Sequence, residues 1–169
     1  MPINNPSGGG PGIKLISEQI ISAAVTSLTF SGLDGNTDGF YFLECEKDGS
    51  LSTGLNLYVN GNNTPTNYYL QYIEGSGSSI FAGILNFPRF MYNDAPYPSI
   101  ASVYCNMSPA GYFNYFSSHG RSLGSTTPRV ENFTGGSIFT ISNLTSLTIT
   151  ADVTNGIGIG SKIRLYKGK

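Results

Sequence analysis

Hydrophobic and polar residues alternate in short bursts along this chain. Leu147, Ile149, Ala151 and Val153 take turns with Thr148, Thr150, Asp152 and Thr154, the period-two pattern of a strand with one buried face. Leu55, Leu57 and Val59 alternate with Asn56, Tyr58 and Asn60, and the run ends in the turn signal Asn60-Gly61. Similar runs predict strands over residues 40–46, 67–73, 79–85, 100–106, 112–117, 129–133 and 161–167. Only two 19-residue windows, 13–31 and 137–155, escape Gly and Pro. The first has apolar residues at helical spacing (Ile16, Ile20, Ala24), but its β-branched content and the Leu28/Phe30 alternation predict two strands with a break at 22–24. The sum is ten or eleven short strands at roughly 8–12-residue spacing, the mark of an all-β sandwich or barrel.

Two segments fall outside this pattern. Residues 1–12 hold three Pro and four Gly, so they are expected to form a flexible or extended arm in front of one domain, 13–169. Residues 87–98 are rich in aromatics and Pro without a period, and are expected to form a long loop. Phe90, Tyr92 and Tyr97 of that loop are candidate ligand or interface residues. Tyr68, Tyr69 and Tyr72 share one predicted strand, so Tyr69 must point away from the other two.

Composition narrows the function classes. The 169 residues are 39% hydrophobic, 12% aromatic and only 11% charged, with Ser, Thr, Asn and Gly making up the rest. A charged coiled coil is excluded, and the aromatics supply a core that a disordered tail lacks. The net charge of −1 gives no general attraction to nucleic acid or to an anionic membrane. Lys162, Arg164, Lys167 and Lys169 make a local basic tip, read as a solvated final strand. No apolar run reaches the length of a membrane span, and residues 1–12 do not read as a signal peptide. Cys45 and Cys105 both lie in strand-like runs and are expected to be buried free thiols.

Catalytic signals are sparse. The one histidine, His119, sits in Ser117-Ser-His-Gly-Arg121 and reads as a turn residue between strands. No nucleophile elbow, zinc pair or Cys-x-x-Cys occurs, and nothing singles out a pair of carboxylates. Asp34-Gly-Asn-Thr-Asp-Gly39 matches the first half of a calcium loop through Asp34, Asn36 and Asp38. The match then fails, because the twelfth position is Cys45 and strands flank the motif. A turn held by its own Asp and Asn side chains is the favoured reading. Gly156-Ile-Gly-Ile-Gly160 precedes a strand rather than a helix, so it reads as a tight turn and not a phosphate loop. No enzyme activity and no cofactor are expected.

Leu15-Ile16, Thr29-Phe-Ser-Gly-Leu-Asp-Gly35, Asp38-Gly-x-Tyr41, Tyr58-Val-Asn-Gly61, Asn67-Tyr-Tyr69, Ile141-x-x-Leu-Thr-Ser-Leu-Thr-Ile149 and Gly158-Ile-Gly-Ser-x-Ile-x-Leu-Tyr-Lys167 carry a resemblance in their order and spacing. Over residues 15–167 the chain resembles structural proteins of tailed-bacteriophage virions. The start Asn5-Pro-Ser-Gly-Gly-Gly10 resembles the arms of such proteins. The resemblance implies a jelly-roll-like β-sandwich that forms cement layers on capsids or parts of tails and fibres, and it implies no catalytic residue. The expected function is a capsid cement (decoration) protein of the virion, made in the host cytoplasm. It would bind the major capsid protein or other virion proteins as a homotrimer, with arm contacts at Pro6, Gly9, Pro11 and Ile13. The alternative is a tail or fibre component whose 87–98 loop stacks on host glycans.

Overall fold

Outside 13–31 and 137–155, Gly and Pro recur too often for a long helix to grow, and β-branched and aromatic residues fill the intervals. In the computed structural model, which describes residues 12–121 and 129–169, the chain forms twelve strands. They are β1 (Lys14–Ile20), β2 (Ser27–Ser31), β3 (Phe40–Lys47), β4 (Thr53–Val59), β5 (Tyr68–Ser76) and β6 (Ser79–Leu85). The second half holds β7 (Arg89–Asn93), β8 (Ser99–Met107), β9 (Tyr112–Arg121), β10 (Arg129–Thr140), β11 (Ser146–Ala151) and β12 (Lys162–Gly168). One 3-10 turn, Pro65–Asn67, leads into β5. No helix among the described residues is long and apolar enough to cross a membrane.

The strands form two antiparallel sheets, ordered β1-β12-β3-β8-β9-β10-β5-β6 and β2-β11-β4-β7. Four pairings are nested: β1 with β12, β2 with β11, β3 with β8, and β4 with β7. Nested pairs that fall alternately in the two layers are what a rolled antiparallel ribbon produces, the eight-strand jelly roll. The other four strands are two inserted hairpins, β5–β6 and β9–β10. Both add to the large sheet beyond β8, so it outgrows the small sheet that covers it. The all-β antiparallel sandwich expected from the sequence is the observed architecture, with twelve strands in place of ten or eleven.

Inward positions of both sheets close the core. Leu43 of β3, Leu55, Leu57 and Val59 of β4, Val103 of β8, Phe113 of β9, Leu147 and Ile149 of β11, and Ile163 and Leu165 of β12 are all fully buried. Each such side chain stabilises the fold by about 1.5–3 kcal/mol relative to exposure. Cys45 and Cys105 are buried free thiols. Burial pushes both up, Cys45 to about 12, which leaves them unreactive.

Residues 13–31 split into β1 and β2 as expected, and 137–155 holds the end of β10 and the whole of β11. Two readings change. All seven positions of β4 are buried, although the sequence alternates. Asp152 accepts from Asn56 Nδ2 at 2.6 Å and from Arg89 Nη2 at 2.7 Å, and this pair roofs the outward side of the strand. Residues 87–98 are not a plain loop, because they contain β7, the edge of the small sheet. A register shift opposite Leu55 and Asn56 lets both Phe90 and Met91 be buried, which erases the alternation.

Candidate functional site: an uncharged outer face and a charged inner cleft

Where the large sheet outgrows the small one, it presents two surfaces that the rest of the sandwich lacks. The outer face comes from strand parity. On β8 the outward residues are Ile100, Ser102 and Tyr104, and their neighbours on β9 are Phe116 and Ser118. β10 adds Val130, Asn132 and Thr134, β5 adds Tyr69, Gln71 and Ile73, and β6 adds Ile80, Ala82 and Ile84. None of these residues carries a charge. Ile73, Ile80, Ile84 and Phe116 are 57%, 80%, 67% and 48% exposed. A shallow hollow of about 600 Å³ lies among Phe116, Ile73 and Ile84. The other half of the same face is different: Arg164 of β12 is salt-bridged there to Glu18 of β1 and to Glu44 and Glu46 of β3.

The two edges of the large sheet differ in the same way. β1 carries Lys14 and Glu18 and is bulged between Leu15 and Ser17. β6, Ser-Ile-Phe-Ala-Gly-Ile-Leu, has no charge and no Pro, and pairs without a bulge to β5 on one side only. Charge, Pro and bulges are what keep a free edge from pairing with another chain. The small sheet's edge at β7 is protected by side chains instead. The Tyr115 and Ser117 hydroxyls donate to the carbonyls of Arg89 and Phe90, each at 2.8 Å.

The inner face beyond β7 is a cleft of about 290 Å³. Its floor is Phe133 and Tyr72, cross-strand neighbours with ring centroids 6.1 Å apart. Glu131 of β10 stands between His119 of β9 and Glu74 of β5. Glu131 is 3% exposed and accepts from Arg121 Nη1 at 2.6 Å and from His119 Nδ1 at 3.0 Å. Arg121 also donates to both oxygens of Asp94, at 2.6 and 3.1 Å. On the rim, Arg129 Nη1 lies 3.2 Å from Glu74 Oε1. The Tyr92 ring is flanked by two guanidiniums, Arg121 at 4.4 Å and Arg89 at 5.2 Å from its centroid.

The charges in the cleft tune one another. Burial opposes ionisation of Glu131, but its hydrogen bond and charge contact with His119, then those with Arg121, hold it below the usual carboxylate range. Burial, and after it the charge of Glu131, push Glu74 up, against the pull of Arg121 and Arg129. The imidazole Nδ1 therefore donates to an ionised Glu131. His119 Nε2 is buried without a hydrogen-bond partner.

The predicted site residues scatter. Tyr92 lines the cleft. Phe90 is fully buried within β7, which corrects its reading as a loop residue. Tyr97 is half-buried, lies outside the cleft lining, and donates its N–H to the Asp94 carbonyl at 3.0 Å. Pro6, Gly9 and Pro11 lie outside the described residues, while Ile13, just ahead of β1, is 61% exposed. His119 is a buried strand residue rather than a turn residue. Tyr68 is buried and Tyr69 exposed, as strand parity required.

The 34–39 segment is a turn. Asp34 accepts from Thr37 Oγ1 at 2.7 Å and from Asn143 Nδ2 at 3.1 Å, and Asp38 is taken by Tyr41 and Lys167. Among the described residues no three His, Cys, Asp or Glu side chains gather to hold a metal ion. Residues 156–160 form the expected turn, in which Gly158 donates its N–H to Asp48 Oδ1 and Gly160 has φ +88°.

Glu74, Arg121, Arg129 and Glu131 were missed by sequence reasoning. The available signal was parity: each is a charged residue in phase with inward aromatic or serine neighbours on its strand. Comparison with known protein families, with curated proteins and with solved structures finds no match.

Proposed function

We propose that the chain is a non-enzymatic structural protein of a tailed-phage virion, a decoration protein that binds the assembled head and reinforces it. The observation that carries this reading is the outer face from β8 to β6, where exposed Ile, Phe and Tyr side chains stand without one charged residue and end at an unprotected edge strand. Exposed apolar patches larger than a few hundred Å² are rare on monomers and mark contact surfaces. Interface cores are likewise enriched in aromatics and depleted of charge. A jelly roll tolerates hairpin insertions of this kind because the core closes without them. The sequence resemblance to virion proteins points the same way. In this reading the face seats on capsid protein and on neighbouring copies within a homotrimer, and the Pro/Gly-rich residues 1–12 add contacts that gain from avidity.

The test is reconstitution on particles that lack the protein. The wild-type chain is expected to cosediment with them and to raise the temperature at which they rupture. Replacing Ile73 and Phe116 together by Lys is expected to abolish cosedimentation, because two desolvated charges oppose docking. Neither residue is in the core, so the melting temperature of the free chain should shift by only a few degrees. Undiminished binding by this variant would place the contact elsewhere.

A further inference from the structure

We infer that the inner cleft between β7 and the β10–β5 part of the large sheet is a binding site for a neutral sugar ring, independent of the assembly surface. Four observations carry this. The floor is aromatic, formed by Phe133 and Tyr72, with the Tyr92 ring on the β7 side. A pyranose has one face of C–H groups that suits such rings, and hydroxyls around its edge that need partners. Those partners are present beside the rings: the Arg129 and Arg121 guanidiniums and the Glu74 carboxylate, with the buried Glu131 holding Arg121 in place behind them.

The charges also balance among themselves. Arg121 is matched by Asp94 and Glu131, Arg129 by Glu74, and Arg89 by Asp152. Among the described residues each cleft guanidinium already has a carboxylate partner, so an anion would have to compete with one. A purely apolar ligand would strip water from Arg121, Glu74 and Arg129 without replacing its hydrogen bonds. A polyol replaces them. Finally, the cleft is built before any ligand arrives, because its polar wall is anchored in the core through the Glu131–His119 bond at 3.0 Å. At about 290 Å³ it has room for one or two rings, at the small end of ligand pockets.

The experiment is a glycan array probed with the intact chain. It carries neutral gluco-, galacto-, manno- and rhamnopyranose oligosaccharides beside sialylated and uronate-bearing ones, and hits are measured by titration calorimetry. Binding to at least one neutral glycan is expected, and Tyr92→Ala and the rim variant Arg129→Ala are each expected to weaken it tenfold or more. The Ile73/Phe116 double Lys variant should bind the same glycan unchanged, which separates this site from the assembly face. No binding to any neutral glycan, binding to acidic glycans alone, or binding that survives both cleft variants would overturn the assignment.

Discussion

Replacing Glu131 with Ala is expected to destabilise the fold by about 3–5 kcal/mol, the cost of removing one partner from a buried ion pair. Glu131 is 3% exposed and takes hydrogen bonds from Arg121 and His119. Without it the guanidinium keeps Asp94, but the imidazole Nδ1–H loses its acceptor inside the sheet. Glu131→Gln keeps the shape and should cost less. The acid dependence follows from the two carboxylates. Glu131 is held below its ordinary range when folded, so its stability is present above that range and is lost as pH falls through the lower folded value. Glu74 is shifted the other way: its contribution is full below the ordinary range and is lost as pH rises through the raised folded value. Falling pH should therefore first favour the folded chain, as Glu74 takes a proton, and then disfavour it, as Glu131 does. Denaturant melts across this pH range test the claim. An acid profile identical in wild type and Glu131→Ala would contradict it.

Phe90→Ala is expected to cost a similar amount, about 3–5 kcal/mol, as for other large aromatic truncations in cores. This is a large effect for a residue on a sheet edge in a segment rich in Pro. The reason is the register shift that turns Phe90 inward beside Met91, while the Phe90 carbonyl is fixed by Ser117. Chemical denaturation measures it. A loss below about 1 kcal/mol would mean that β7 relaxes to fill the cavity.

These two residues also mark where the sequence was legible. Strands written as short apolar and aromatic runs between turn residues could be read directly: residues 79–85 are β6, and residues 40–46 are all but the last residue of β3. Phe90 was not legible, because three Pro residues and a bulge removed the period from residues 87–98. His119 was hidden among serines that look like turn residues, although Ser117, His119 and Arg121 share one parity along β9. Glu131 shows the deeper limit. Its parity with Phe133 places it inward, but its company of His119 and Glu74 depends on which strands lie beside β10. Those neighbours are set by long-range pairing, and the hairpin β5–β6 is far from β10 in the chain. The outer face was half legible for the same reason. Parity separated Tyr69 from Tyr68, but the extent of uncovered sheet depends on the small sheet ending at β7.

The most direct test of the uncharged face is hydroxyl-radical footprinting of the chain, free and bound to particles, read at single aromatic residues. Tyr69, Tyr104 and Phe116 are 46%, 40% and 48% exposed in the isolated chain. They should lose most of their oxidation on assembly, whereas Phe42 and Tyr166, on the charged half of the same sheet, should be oxidised as before. Equal oxidation of Tyr69, Tyr104 and Phe116 in both states, or protection confined to Phe42 and Tyr166, would contradict the account.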